Sequence, residues 1–328
     1  MLLQHKVLTV SIAAYNVEKY IEECLTPFTQ AGVYDRCEVI VIDDGGTDHT
    51  KEIAERFAQM YPETFQVVHK ANGGWGSTVN TGIRLAHGQY FKQLDGDDYF
   101  DSDTLNSFLN ALEKIETDIV LSPYVTFVSD TKEIIGQSKP AEDFGVELNK
   151  EYEICALDPK FVTMHQCTFK TSVLQNGMEP LLEHAFYTDI EFIIKGFCAS
   201  STIMFIPMTV YWYRVGRDGQ SMSTESMRKH YKEHEAVVFR IADFLRDKEN
   251  APGYAIASNR LVIMLGWQYL FYSKLSAPLQ HFQEVKAFDR KLKNMYPEFY
   301  KRCGKGAKLL RMTHFLAYFP ICWYEARH

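Results

Sequence analysis

Several clusters in this chain carry the residue types needed for chemistry on a phosphorylated substrate. Asp95-Gly96-Asp97-Asp98 sets carboxylates on both sides of a glycine. Oxygen ligands at that spacing suit one hard divalent cation, Mg2+ or Mn2+, which usually shares its coordination with substrate phosphates. Asp95, Asp97 and Asp98 are therefore candidate metal ligands, and Gly96 lets backbone come close to a ligand. An isolated Asp-x-Asp is more often a solvated turn, so its place in the fold decides its meaning. In Asp43-Asp44-Gly45-Gly46-Thr47-Asp48, Thr47 or Asp48 suits the cap of a following helix. Asp43 and Asp44 then remain to accept hydrogen bonds from a base or a ribose. Asn72-Gly73-Gly74-Trp75-Gly76 offers backbone N–H groups just before a helix, an arrangement that favours anions. It lacks a lysine in P-loop register, and Trp75 at the loop tip presents a ring to a sugar or base. Asp189, at the start of a helical stretch, is a candidate general base if the fold brings it to the other acids. Arg214 and Arg217 follow an aromatic strand and suit a diphosphate. His165 and His230 have no partner at metal-ligand spacing and read as structural or acceptor-side residues.

The elements that must position these residues alternate. Short apolar runs at 7–14, 39–42, 65–68, 90–94 and 119–121 read as buried strands. Helical spacing occupies 17–28, 50–61, 77–87 and 103–115, the last with Asp103 as N-cap. Repeated β-α-β with short loops predicts an α/β fold with a doubly wound, mostly parallel sheet. Ligands of such sheets sit beyond the carboxyl ends of the strands. Tyr15-Asn16, Asp43-Asp44, Asn72-Gly73 and Asp95-Gly96 occupy those ends and should meet at one crevice. The stretch 126–220 is less regular, and 221–328 reads as a C-terminal helical appendage, with the boundary near 220.

Composition narrows the function. Among 328 residues there are 35 Lys and Arg against 42 Asp and Glu, a net charge of −7, which argues against a nucleic-acid partner. The 7 cysteines are scattered without a C-x-x-C, the pattern of reduced cytosolic thiols. No secretory leader and no membrane-spanning run is read from the sequence. The tail differs from the average. Lys301, Arg302, Lys305, Lys308 and Arg311 precede Phe315, Leu316, Tyr318, Phe319, Ile321, Trp323 and Tyr324. That segment suits a peripheral contact with the inner face of a membrane, or a homodimer.

Ser11-Ile12-Ala13-Ala14-Tyr15-Asn16, then Glu38 to Asp48, then Asn80-Thr81-Gly82, then Leu94-Asp95-Gly96-Asp97-Asp98 resemble family 2 of the nucleotide-sugar glycosyltransferases, of GT-A fold. The likeness covers about 6–125 and more loosely reaches about 223. It implies an inverting, metal-dependent transferase that takes a nucleoside-diphosphate sugar, a UDP-sugar first among them. The acceptor would be a glycan, teichoic-acid or lipid-linked hydroxyl, with 1–125 the nucleotide-sugar half and 126–220 the acceptor half. By that resemblance Ala14, Tyr15 and Asp44 would hold the base, with Asp43 near the nucleoside and Asn16, Asn72, Gly73 and Asn80 lining the donor. Asp95 and Asp97 would touch ribose and metal, with Asp98 replacing or supporting Asp97. Asp189 would be the base, and Arg214 and Ser221 would close over the diphosphate. The chain departs from the family at Thr188, where an acid is usual, and at Val79, where an arginine is. It lacks the Gln-x-x-Arg-Trp signature of polymerising synthases.

Rival classes fare worse. A nicotinamide dehydrogenase should carry G-x-G-x-x-G after the first strand, where this chain has Ala14-Tyr15-Asn16. A sugar nucleotidyltransferase should carry a basic glycine-rich N-terminal loop. The remaining alternative is an inactive sugar-nucleotide or glycan-binding module of the same fold, which the retained Asp95, Asp97 and Asp189 disfavour.

Overall fold

The computed structural model describes residues 6–216, 223–276 and 278–325. In chain order the elements begin β1 (Leu8–Ala14), α1 (Ile21–Leu25), β2 (Cys37–Asp43), α2 (Thr50–Met60), β3 (Phe65–His69), α3 (Trp75–Leu85) and β4 (Tyr90–Asp95). There follow β5 (Tyr99–Phe100), α4 (Ser102–Leu112), β6 (Ile119–Leu121), β7 (Tyr124–Val128), β8 (Ile134–Gln137), α5 (Pro140–Phe144) and β9 (Glu151–Glu153). Next are β10 (Cys167–Lys170), α6 (Thr171–Gly177), α7 (Thr188–Ala199), β11 (Thr202–Phe205) and β12 (Tyr211–Val215). The helical region comprises α8 (Thr224–Leu245), α9 (Tyr254–Lys274), α10 (Pro278–Met295), α11 (Pro297–Arg302), α12 (Lys305–Met312) and α13 (Tyr318–Glu325).

The main sheet has the order β3-β2-β1-β4-β10-β6-β11-β9. β3, β2, β1 and β4 are mutually parallel. Val10, Ile12, Val39, Val41 and Leu94 are fully or almost fully buried, as strands covered on both faces require. The register fixes what lies at their carboxyl ends. Ala14 pairs with Asp43, Ala13 with Asp95, and Asp43 with His69. One row of neighbouring positions thus carries Asp95, Ala14, Asp43 and His69. β10 enters antiparallel between β4 and β6, and a second sheet, β5-β12-β7-β8, touches the end of β4, where the Tyr211 hydroxyl of β12 accepts the Asp95 N–H at 3.3 Å.

Local details differ from the sequence reading. The helix expected over 17–28 is only α1, followed by a tight 3-10 turn at Thr26–Thr29. Pro27 in that turn supplies no N–H for a continuing helix. The N-cap of α4 is Asp101, whose carboxylate accepts the Thr104 N–H at 3.0 Å, and Asp103 lies in the first turn.

A second apolar core joins Ile190 and Ile194 of α7 to Val237, Leu261, Leu265, Phe288 and Leu310 of the following helices. The helical region therefore packs on the helix that begins at Asp189. An ion triad, with Glu191 and Lys195 buried and Arg240 at the surface, reinforces the contact. The Glu191 carboxylate pairs with Lys195 at 2.7 Å and with Arg240 of α8 at 2.8 Å. It also accepts the Leu182 N–H at 2.9 Å. No helix among the described residues is long and apolar enough to cross a membrane.

Candidate functional site

The acids at the strand ends are each held by specific donors. Asp43 is buried, and its carboxylate accepts the Gly46 N–H at 3.1 Å and contacts His69 Nδ1 at 2.5 Å. Asn16 has φ of 51°, and its side-chain oxygen accepts the Thr47 N–H at 2.8 Å. It fixes the turn that presents Tyr15, which is 52% exposed beside buried Ala14. An exposed ring over a buried small residue leaves a face open to a planar ligand.

Asp44 corrects the reading of the glycine loop. Its buried carboxylate accepts Gly73 N–H at 2.9 Å, Gly74 N–H at 2.8 Å and Lys70 Nζ at 2.7 Å. The anion cradled by those amides is therefore the chain's own, and Gly73 does not present a free N–H to a phosphate. Asn72 is likewise tied inward, donating to the Asp44 carbonyl at 3.0 Å. Trp75 is not a loop tip. It starts α3, its Nε1–H donates to Asp95 Oδ1 at 2.7 Å, and its ring meets Phe192 edge-on. Gly76 has a packing role, since a Cβ there would lie 2.2 Å from the Leu182 carbonyl oxygen. Gly96 is similar: a Cβ would lie 3.0 Å from both the Ala13 carbonyl oxygen and Val17 Cγ2. The close approach that Gly96 permits is to β1, not to a ligand.

Two further expectations are revised. Asn80 is engaged within the chain, accepting the Leu181 N–H at 2.8 Å and donating to the Leu181 carbonyl at 3.1 Å. It ties α3 to the segment leading into α7. Arg214 is buried, not poised over a diphosphate. Its Nε–H donates to the Asp97 carbonyl at 2.6 Å, Nη2 pairs with Glu23 at 2.5 Å, and its guanidinium stacks on Tyr20 and Phe127. A side chain with those contacts anchors β12 across the Asp97-Asp98 turn. Arg217 and Ser221 lie outside the described residues.

Asp98 is buried, and accepts the Tyr211 hydroxyl at 2.7 Å and the Arg214 N–H at 2.7 Å. Burial, and then the neighbouring Asp97 and Asp95 charges, hold its carboxyl well above the ordinary range. Carboxylate oxygens of Asp95 and Asp98 and a ring nitrogen of His165 lie within 4.8 Å of one another. His165 Nδ1 is buried without a hydrogen-bond partner among the described residues. Crowded carboxylates beside an imidazole whose Nδ1 has no partner among the described residues fit a divalent cation, and the mixed O/N set suits Mn2+ at least as well as Mg2+. Asp97 is not part of this trio.

Sequence reasoning missed His165. Its partners are remote in sequence, and it lies in a 3-10 turn, Met164–Gln166, that reaches them because the β10 strand it leads into pairs with β4. Lys92, fully buried on β4, holds the segment by donating to the carbonyls of His165 at 2.9 Å and Cys167 at 3.0 Å. Burial drives the Lys92 amine down to about 7. From pH 7 upward the folded amine sheds a proton that the unfolded chain keeps until near its ordinary 10.5. The unfolded state then binds more protons, so this group makes stability rise with pH. Relative to Lys92→Met, the wild-type unfolding free energy should gain about 2 kcal/mol between pH 7 and 9, as read by urea titration. A constant difference would place the amine's titration elsewhere.

Asp189 occupies the first turn of α7, after Tyr187 at φ of 66°. A helix N-terminus favours its negative charge. Burial raises its pKa, and the Arg260 charge on α9 opposes that rise. Tyr213 of β12 senses the charge of both groups, the acids of the β4 turn and Asp189. Its phenol is held well above the ordinary range first by burial and then by Asp98, Asp95, Asp97 and Asp189. The acids of the β4 turn and the carboxylate of α7 thus lie within electrostatic reach of one ring.

Residues 9–177 match the sequence model of Glycosyl transferase family 2. The chain belongs to that family. Among curated relatives, the uncharacterized glycosyltransferase EpsJ of Bacillus subtilis is 38% identical over 112 residues, 34% of this chain and 32% of EpsJ. Poly(ribitol-phosphate) beta-glucosyltransferase of Bacillus spizizenii is 27% identical over 219 residues, 66% of this chain and 33% of that protein. The first three relatives are each matched over only 32%, 40% and 34% of their length. Among solved structures, S. aureus TarS 1-349 in complex with UDP has a TM-score of 0.65 at 20% identity, covering 97% of this chain and 90% of that one. That likeness establishes the fold, a GT-A type α/β architecture with a helical C-terminal region.

Proposed function

We propose that the chain transfers a sugar from a nucleoside-diphosphate sugar, a UDP-sugar first among them, to an acceptor hydroxyl with inversion at the anomeric carbon. The observation that supports this reading is the cluster of Asp95, Asp98 and His165, with ligand atoms within 4.8 Å of one another at the carboxyl end of β4, in a chain whose residues 9–177 match Glycosyl transferase family 2. A base and a leaving-group site must face each other across the reacting carbon. Asp189 takes the proton of the attacking hydroxyl as the new bond forms. Ala14, Tyr15, Asp43 and Asp44 border the base and ribose, and Asp95 and Asp97 the ribose and diphosphate. A divalent cation held by Asp95, Asp98 and His165, with Asp97 as a further ligand, would supply positive charge to the departing diphosphate.

A thermal-shift panel of UDP- and GDP-sugars, each with and without Mn2+, tests this reading. At least one donor should stabilise the protein, and more strongly with Mn2+. No response to any member would overturn it. The poly(ribitol-phosphate) acceptor for which the Bacillus spizizenii relative is named supports a teichoic-acid or other cell-surface glycan acceptor; lipid-linked acceptors and a cytoplasmic site of action belong to the same reading. The outer faces of α12 and the segment after it carry Leu309, Met312 and Leu316, the last two 80% and 69% exposed, with Lys305 and Lys308 nearby. That surface suits a membrane's inner leaflet or a second copy. Flotation with anionic liposomes, lost at high salt, would favour the membrane. A concentration-dependent dimer without flotation would favour the copy.

A further inference from the structure

Arg260 of α9 is 4% exposed, and its Nε and Nη1 have no hydrogen-bond partner among the described residues. Its guanidinium carbon lies 3.9 Å from the centre of the Phe161 ring and 5.3 Å from that of Trp267. No carboxylate among the described residues comes within ion-pair distance of it, although Asp189 acts on it electrostatically. A buried guanidinium without a direct anion is costly, and its placement calls for a counter-charge that arrives with a ligand.

Beside it is a pocket of about 430 Å³. Phe161 forms part of its wall, with the hydroxyl-bearing Tyr124, Ser138 and Thr163 and the amide of Gln166. Lys160, half-buried, stands on the same wall and has no ion-pair partner among the described residues. Asp143 is the one acid on that wall. Tyr124 meets His165 at 4.9 Å between ring centroids, and His165 meets Tyr213 at 4.4 Å, so the pocket adjoins the acids of the proposed active site. Hydroxyl and amide walls suit a polyol, and Lys160 on the wall, with Arg260 packed on the wall's Phe161 and within electrostatic reach of its Tyr124, suits an anion attached to it.

We propose that Arg260 and Lys160 form an acceptor subsite that binds a polyhydroxylated unit carrying a phosphate or a carboxylate. This rests on the reading of Asp189 as the base, because Arg260 lies within its electrostatic reach. The helical region then completes the acceptor site as well as packing on α7.

The test uses the full chain saturated with UDP, so that phosphate probes do not enter the donor side. Glycerol, inorganic phosphate, glycerol 3-phosphate and glucuronate are titrated by NMR. Glycerol 3-phosphate or glucuronate should bind at least ten-fold more tightly than glycerol, and the tighter of the two identifies the anion. Arg260→Gln and Lys160→Gln should each remove at least ten-fold of that preference, and Arg260→Lys should keep most of it. Equal binding of charged and neutral polyols, or wild-type preference in both Gln variants, would overturn the subsite. Inorganic phosphate binding as tightly as glycerol 3-phosphate would overturn its polyol half. If Arg260→Gln does not fold, Lys160→Gln at the pocket wall carries the test alone. If UDP does not bind, the donor reading fails separately, and the same titration on nucleotide-free protein still decides the subsite.

Discussion

Asp189→Asn is expected to lower kcat for transfer by about 10³-fold while leaving nucleotide-sugar affinity within about two-fold. The substitution keeps the shape of the side chain and removes only its capacity to take a proton. Glu191, the next acid on α7, cannot replace it. Its carboxylate is engaged by Lys195, Arg240 and the Leu182 N–H, and it is fully buried. Thr188 supplies no second acid. The pH profile gives an independent sign. Burial raises the Asp189 pKa against the opposing Arg260 charge, so wild-type kcat should fall as pH drops through a value above the ordinary carboxylate range. The residual rate of the Asn variant should lack that limb. Single-turnover kinetics and donor titration together check the prediction. Loss of donor affinity with the chemistry would instead make Asp189 a donor-binding residue.

The row Asp95, Ala14, Asp43 was legible because parallel strands with short β-α-β connections leave little choice of register, and the carboxyl ends of neighbouring strands must align. The roles of the glycines were not. Gly73 and Gly74 do bind an anion through their N–H groups, but a sequence does not reveal that the anion is Asp44, 29 and 30 residues away. Arg214 has the composition of a phosphate clamp, yet Glu23, 191 residues away, takes its guanidinium. His165 and Arg260 were hidden for a related reason. Neither has a local partner, and each reaches the site through a segment whose position only tertiary packing sets, the turn leading into β10 beside β4 and α9 against α7. What was readable follows from local periodicity and connection rules. What was not depends on which distant charge meets which.

Asp44→Ala is expected to destabilise the fold by about 3 kcal/mol and to weaken donor binding by at least about ten-fold, or 1.4 kcal/mol. The stability loss follows from what the buried carboxylate does. Removing it leaves the N–H groups of Gly73 and Gly74 without an acceptor and the Lys70 amine with only the Ala71 carbonyl, at 2.7 Å. The affinity loss follows because the same loop leads directly into α3, whose first residue, Trp75, donates to Asp95. A loosened loop therefore reaches the Asp95–Asp98 turn from the far side of the site. It also reaches the approach to Asp189, since the Gly73 carbonyl accepts the His184 N–H at 2.5 Å. Asp44→Asn should fall between, because its amide oxygen still accepts while its NH2 opposes the remaining donors. Urea unfolding and UDP titration on the same preparations separate two roles for this residue. If Asp44 serves only the base of the donor, affinity drops in Asp44→Ala and the unfolding midpoint stays at the wild-type value. If it organises the loop, both drop together, and the variant also loses part of any response to Mn2+, because the acids that would hold the ion are no longer braced through Trp75.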